Sequence, residues 1–341
     1  MTEPPPAIDL ERLAPWLRQH VAELGEPRAV RQFRGGLSNP TYLIDGADGC
    51  CVLRKQPPGE LLPSAHAVDR EYQVLDALRD TDMPVPRVIA MCTDRAVLGT
   101  LFYVMDYVPG RVFSDPALGA CAAEERSEVY AALAKSLAVL HGIDHRKAGL
   151  AEYGRQEQYL ARQVKRWKRQ FDAAAVPSSE MESLAAWLAA HLPASDASGD
   201  GSTIVHGDYR LGNAIFDSHR PRVAAILDWE LSTIGHPFSD LAYCCIAWRL
   251  PPEMRGLEGV DKPGLPDEAE FRRAYCEAAG RADLPGFEFF MAFAMFRLAA
   301  ILAGVYRRAI NGNAADSSAA EDAIRRFGAI SRRAWRIATA A

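Results

Sequence analysis

His206-Gly207-Asp208-Tyr209-Arg210-Leu211-Gly212-Asn213, followed by Leu227-Asp228-Trp229-Glu230, is the stretch that decides the fold. An Asp and an Asn stand five positions apart on one loop, and a second Asp closes an apolar run, Val223 to Leu227. The set suits phosphoryl transfer. That chemistry needs a carboxylate to orient an acceptor hydroxyl and take its proton, and hard oxygen ligands for the metal ions that neutralise a triphosphate. Asp208 is the candidate base, and Asn213 and Asp228 are the candidate metal ligands. A hairpin with capping Asp and Asn residues would account for any one of them. It accounts poorly for the ordered set between two apolar strands.

Upstream of this block, helical periodicity runs back through Ser179 to His191, Gln156 to Phe171 and Ala122 to His141. Pro193 to Ser202 is a small-residue loop. Before Pro109-Gly110 the texture changes to short strand-like runs: Ala29–Phe33, Thr41–Ile44, Cys50–Lys55, Arg87–Cys92 and Leu101–Met105, with a helical pattern over His66 to Arg79. Downstream, helices resume near Ser239. The expectation is an α+β, two-lobed architecture divided at 108/109. A small antiparallel sheet lobe with an N-terminal helix (1–108) precedes a larger, mainly helical lobe (109–341).

The Asp208-to-Asn213 spacing resembles the D-x-x-x-x-N catalytic loop of kinases. His206-Gly207-Asp208 with the later Asp228-Trp229-Glu230 resembles the aminoglycoside phosphotransferase and choline kinase branch of the protein kinase-like fold. The resemblance implies Asp208 as catalytic base, Mg2+ on Asn213 and Asp228, and ATP or GTP as co-substrate. It implies that Asp240 anchors the catalytic loop through backbone amides, with His206 also supporting it; a plain helix cap by Ser239 or Asp240 is the alternative. Gly35, Gly36 and Ser38 would cover the phosphates, although a hairpin turn explains them as well. Strand alternation points Arg54 and Lys55 to opposite faces. Either could meet the phosphates, the resemblance favouring Arg54, and the other is expected in solvent. Glu71 would pair with that cation or else face water. Met105, Asp106 and Tyr107 would form the hinge that reads the base.

Asp228 and Asp240 are twelve residues apart, too close for a protein kinase's activation segment, and Gly207 stands where such kinases carry Arg. A small-molecule acceptor fits better. Val52 to Gly59, Leu62 to His66, Tyr159 to Trp167 and Leu227 to Tyr243 resemble the kinase-type domain of acyl-CoA dehydrogenase family members 10 and 11. That implies a hydroxyacyl-CoA or similar metabolite, with the dehydrogenase part absent. Arg155, Arg162, Lys165, Arg166, Lys168 and Arg169, set against Glu157, would attract an anionic acceptor, with Arg162 and Arg166 as first candidates; a solvated helix face is the alternative. An antibiotic phosphotransferase and a silent nucleotide-binding pseudokinase or scaffold are the rival expectations. The acceptor's identity, ATP against GTP and the oligomeric state stay open.

The net charge of −5, from 39 basic and 44 acidic residues, gives no footing for a nucleic-acid or membrane-surface role. Seven cysteines show neither CxxC nor zinc spacing, which fits buried thiols in a reducing compartment. The N-terminus lacks the pattern of a signal peptide. Glu288 and Arg297 interrupt the apolar run Phe287 to Tyr306, which therefore reads as a core helix. A cytoplasmic protein is expected.

Overall fold

Short runs rich in β-branched and aromatic residues, such as Thr41–Gly46 and Phe102–Asp106, form the strands of the N-terminal part of the chain. The computed structural model describes residues 8–33, 39–57, 67–313 and 317–340. Contacts within the chain separate two units. One holds the N-terminal segment to Val112 together with Asn213–Ser232; the other holds Phe113–Gly212 together with Thr233–Ala341. The division therefore falls at 112/113 rather than 108/109, and it moves 213–232 into the first unit. Strand pairing is the reason, as β6 (Arg111–Val112) pairs with β8 (Ala214–Phe216), which pairs in turn with β9 (Val223–Ile226).

In the first unit, β1 (Pro27–Gln32), β2 (Thr41–Gly46), β3 (Cys50–Lys55), β4 (Val88–Cys92) and β5 (Phe102–Asp106) form an antiparallel sheet of order β1-β2-β3-β5-β4. α1 (Leu10–His20) starts at Asp9, whose side chain accepts the Arg12 amide at 3.2 Å. Its buried Leu13 and Leu17 join Tyr42, Ile44, Cys51, Leu53, Phe102 and Val104 in one apolar cluster. α2 (Val68–Leu78) packs on β4, β5 and the short turn Trp229–Leu231; α3 (Arg95–Leu98) is a single turn.

Alternation along β3 decides where its two cations go. Cys51 and Leu53 enter the cluster under α1, so Lys55 belongs to that face and Arg54 to the opposite one. Lys55 is 8% exposed, not solvated as expected. Its four-carbon stem lies along a buried sheet face, and burial lowers its ammonium's pKa.

The second unit contains α4 (Ala123–Gly142), α5 (Tyr159–Ala174), α6 (Ser179–Ala190), the single-turn α7 (Ser195–Ser198), β7 (Thr203–Val205), β10 (Thr233–Gly235), α8 (Pro237–Cys245), α9 (Glu268–Ala279), α10 (Phe287–Arg308) and α11 (Ser317–Ala340). β7 and β10 pair antiparallel, Val205 opposite Thr233. The helix starting at Phe287 is long and apolar enough to cross a membrane by composition, yet it is the hub of this unit, packed by α11, α5 and α8. Met291, Met295, Phe296 and Ala299 are fully covered. Burying each large side chain of this kind contributes about 1.5–3 kcal/mol.

Candidate active site

The loop after β7 is held by side chains that grip its backbone. Asp240 accepts the His206 amide at 2.6 Å and the Gly207 amide at 2.8 Å. The His206 ring then accepts the Asp208 amide through Nδ1 at 3.1 Å. Gly207 sits at φ +83°, a conformation that opposes a β-carbon, which explains glycine between His and Asp. Tyr209, fully buried, donates its hydroxyl to the Leu133 carbonyl of α4 at 2.8 Å. The alternative cap role for Ser239 or Asp240 is taken by His236, whose Nδ1 accepts the Phe238 amide at 3.2 Å. Burial brings the His236 pKa down to about 4, which keeps the ring neutral and able to accept.

Asp240 is a buried carboxylate. Burial opposes its charge, but His141, His206 and the His206 amide outweigh that and lower its pKa. His141 Nε2 stands 3.6 Å from it, while His141 Nδ1 meets the Tyr275 hydroxyl at 2.8 Å.

This scaffold presents Asp208 with its side chain 18% exposed. Arg210 donates to it from Nε at 3.2 Å, and the Tyr243 hydroxyl hydrogen-bonds to it. Burial and then the Asp208 charge push the Tyr243 phenol up, so Tyr243 stays a neutral donor. Arg297 stacks on Tyr243 with its guanidinium carbon 4.7 Å from the ring centroid. The sequence reading missed Arg210, Tyr243 and Arg297. Tyr243 had a signal, since it lies one turn beyond Asp240 on the same helix face.

A second cluster lies in the first unit. Arg54 donates from Nε to Glu71 at 2.7 Å, from Nη2 to Asp228 at 2.5 Å and from Nη1 to Thr41 at 3.4 Å. Glu230 lies 3.9 Å away and accepts from Asn39 at 3.1 Å. Burial disfavours the Arg54 charge, but Glu71, Asp228 and Glu230 more than offset it and raise its pKa. Burial raises the Glu71 carboxyl's pKa despite Arg54, and Asp228 and Glu230 add to the effect. The other Glu71 oxygen accepts the Trp229 amide at 3.2 Å, so one side chain ties the sheet cation to the Asp228 turn. Asp228 itself sits at φ +70°, a left-handed conformation that Asp tolerates better than most residues.

Three carboxylates around one guanidinium leave the cluster with excess negative charge. Such a donor set suits an added divalent cation. Asn213 is buried, and its carbonyl accepts the Leu227 amide at 2.8 Å, next to Asp228. No group of three His, Cys, Asp or Glu suited to a metal occurs among the described residues. Mg2+ does not require one, because it takes one or two protein oxygens and fills its octahedron with water and phosphate.

The remaining candidates are scattered. Gly35, Gly36 and Ser38 lie outside the described residues. Met105 and Asp106 end β5, and Tyr107 follows it, 42% exposed. The Asp106 carboxylate pairs with Arg87 at 2.9 Å. Arg162 donates its guanidinium to the carbonyls of Arg155 and Glu157, so it braces the entry to its own helix. Arg166 lies 5.3 Å from the Trp167 ring. Neither lines the cavity of about 210 Å³ that Arg210 and Tyr243 border.

The chain is similar to known proteins in sequence and in fold. Acyl-CoA dehydrogenase family member 10 of Mus musculus is 44% identical over 299 residues, 86% of this chain but 28% of that protein. Family member 11 of Rattus norvegicus is 40% identical, with 90% of this chain matched and 40% of that protein. The chain thus spans well under half of these relatives. A Ralstonia eutropha crystal structure, described provisionally as an aminoglycoside phosphotransferase, matches with TM-score 0.87 and 40% identity, covering 98% of this chain and 99% of that one. The GDP complex of aminoglycoside 2'-phosphotransferase-IIIa, at 13% identity and TM-score 0.64, shares the protein kinase-like fold over 93% of this chain and 96% of its own. A model of the phosphotransferase enzyme family, APH, matches residues 29–290. The whole His206-to-Glu230 block falls inside that match, and the chain belongs to the APH family of phosphotransferase enzymes.

Proposed function

We propose that this protein is a small-molecule kinase that moves the γ-phosphate of ATP or GTP onto a hydroxyl. One observation carries the reading. Asp208 stands on a loop whose amides are held by Asp240 and His206, five residues before Asn213. In the reaction the acceptor oxygen bonds to the γ-phosphorus, the bond from that phosphorus to the bridging oxygen breaks, and the nucleoside diphosphate leaves. The acceptor proton passes to Asp208. Asp228 and Asn213 would hold Mg2+, which supplies positive charge to the phosphates. Arg54 would contact the phosphates, with Glu71 fixing its direction. The GDP bound by a structural relative supports a nucleotide co-substrate. The acyl-CoA dehydrogenase relatives support a hydroxyacyl-CoA acceptor. The seven free thiols support a reducing, cytoplasmic setting.

The Ralstonia relative's description favours a second reading, an antibiotic phosphotransferase. The deciding experiment offers Mg-ATP and Mg-GTP with hydroxyacyl-CoAs, amino alcohols, sugars and aminoglycosides, and follows diphosphate release and product mass. The expected hit is a hydroxyacyl-CoA whose turnover vanishes in Asp208→Ala. An aminoglycoside as the sole hit selects the second reading. No turnover together with no magnesium-dependent nucleotide binding defeats both.

Arg54→Lys tests the nucleotide contact. A Lys ammonium cannot reach Glu71, Asp228 and Thr41 together as the forked guanidinium does. Calorimetry should show nucleotide affinity weakened by about 1.5–3 kcal/mol, the range for hydrogen bonds to charged groups. Unchanged affinity would exclude Arg54 from the phosphates.

A further inference from the structure

Three helices of the second unit contribute to one chain of contacts that ends on Asp208. On α8, Asp240 and Tyr243 stand one turn apart on the same helix face. Asp240 holds the backbone of the loop, and the Tyr243 hydroxyl donates to the Asp208 carboxylate. α10 packs on α8 and lays Arg297 against the Tyr243 ring, its guanidinium carbon 4.7 Å from the centroid. The other ring beside Arg297 is Trp167 of α5, at 5.1 Å. The contacts therefore run from Trp167 through Arg297 and Tyr243 to the carboxylate.

A cation is a costly residue for this place. Arg297 is 8% exposed, and every other buried residue of α10 is Phe, Met, Ala or Leu. Its Nε has no hydrogen-bond partner among the described residues. A second cation, Arg166, lies over the same Trp167 ring at 5.3 Å; burial and then the Arg297 charge lower the Arg166 pKa. Packing alone would be served by Met, which fills a comparable space with no charge to bury. The charge has a use at the Tyr243 ring. A cation over an aromatic face draws on the ring's electrons, and a phenol polarised in this way is a stronger hydrogen-bond donor.

The second donor to Asp208, Arg210, has a side chain 53% exposed. An exposed ion pair holds its partners weakly and is screened by salt. The direction of the Asp208 carboxylate therefore depends on Tyr243. A carboxylate has about four lone-pair sites, so two donors still leave room for an acceptor hydroxyl.

We infer that Tyr243 is a positioning residue: its hydroxyl fixes the direction in which Asp208 meets the acceptor proton, and the Arg297 guanidinium stacked on its ring strengthens that hydrogen bond. The proton transfer rests on the kinase reading; the contacts among Trp167, Arg297, Tyr243 and Asp208 stand without it.

Three variants separate positioning from packing. Tyr243→Phe keeps the ring and removes the donor. Its kcat should fall about 10–100-fold, the range for a hydrogen bond to a charged group, with the nucleotide KM moving less than about threefold. Arg297→Met removes the charge and keeps the packing. Its kcat should fall about three- to tenfold while its melting temperature stays the same or rises. Arg297→Lys returns a cation to the ring and should recover most of the lost kcat. Three results would overturn the inference: a kcat within about twofold of wild type in Tyr243→Phe, a loss in Arg297→Met that Lys does not recover, or a loss in Arg297→Met that comes with a lower melting temperature.

A readout without turnover keeps this inference apart from the kinase reading. Tyr243→difluorotyrosine introduces a more acidic phenol whose ionisation is followed by fluorine NMR. The charged groups that face it are Asp208 and Arg210 from the loop and Arg297 from α10. Asp208 opposes ionisation of the phenol and the two arginines favour it. Adding Asp208→Asn should therefore bring ionisation to lower pH, and adding Arg297→Met should take it to higher pH. Both shifts support the coupling whether or not an acceptor is found. Absence of either shift overturns it, even where turnover lost in Asp208→Ala upholds the kinase reading.

Discussion

Asp208→Asn is expected to lower kcat by about 10²–10⁴, the usual contribution of a positioned general base. Asparagine keeps the shape of the side chain and an oxygen for Arg210 and Tyr243, but it cannot take a proton. Asp208→Ala removes orientation as well and should fall further. The nucleotide KM should move less than threefold in both, about 0.6 kcal/mol, since Arg54, Glu71 and Asp228 belong to the other unit and to other contacts. Such a split, kcat lost and nucleotide binding kept, marks an interaction made in the transition state. A kcat within about threefold of wild type in the Asn variant would remove proton uptake from the role of Asp208. The loop should stay folded in either variant, because its grip comes from Asp240 and the His206 ring acting on backbone amides.

Much of the fold is legible in the amino-acid sequence. What local order sets is legible: the spacing that singles out Asp208, Asn213 and Asp228 as candidates, and the opposed faces of Arg54 and Lys55, which follow from alternation. The five strands of the first sheet and the long helices followed from periodicity, within a few residues at their ends. Long-range partners did not show. Asp196 sits in what reads as a plain small-residue loop, yet its carboxylate accepts the Leu160 amide at 2.6 Å and the Ala161 amide at 3.1 Å, thereby capping α5 from 36 residues away. The local capping position, Gln158, makes no side-chain cap and takes φ +55°, so no sequence signal for that start exists. Lys55 was misplaced because an unpaired cation reads as solvated when the face it lies on is not known to be covered by α1.

The basic run on α5 shows the same limit in functional form. Net charge along a helix identifies a patch but not which groups are already engaged. Arg162 turns back to the Arg155 and Glu157 carbonyls, and Arg166 lies against Trp167. The arginines that line the cavity, Arg210, Arg255 and Arg326, come from three distant segments. A cavity assembled from a loop, a turn and the last helix has no period and no spacing to read.

Asp240→Ala is expected to be the most damaging single change outside Asp208. It strips the acceptor from two buried amides, His206 and Gly207, and leaves His141 without its carboxylate neighbour. Breaking a buried charged arrangement of this kind costs about 3–5 kcal/mol, so the second unit should unfold at a markedly lower temperature. Asp240→Asn should recover part of that, since its carbonyl oxygen accepts one amide while its NH2 faces the other donor. Activity should fall more than nucleotide affinity in both, because the released loop carries Asp208. The acid limb supplies an independent check. The folded-state pKa of Asp240 lies below its ordinary value of 3.8, so its stabilisation is complete above the ordinary carboxylate range and is lost as pH falls through the folded value. His141 from α4 and His206 from the loop are the groups that hold it down. Denaturant melts of wild type and Asp240→Asn from neutral pH downward should therefore differ by a constant amount until pH drops below about 4, and then converge. A gap that stays constant throughout the acid range would mean that Asp240 titrates alike in the folded and unfolded chain, and a gap that widens toward acid would mean that the loop is held by hydrogen bonds to a neutral acid.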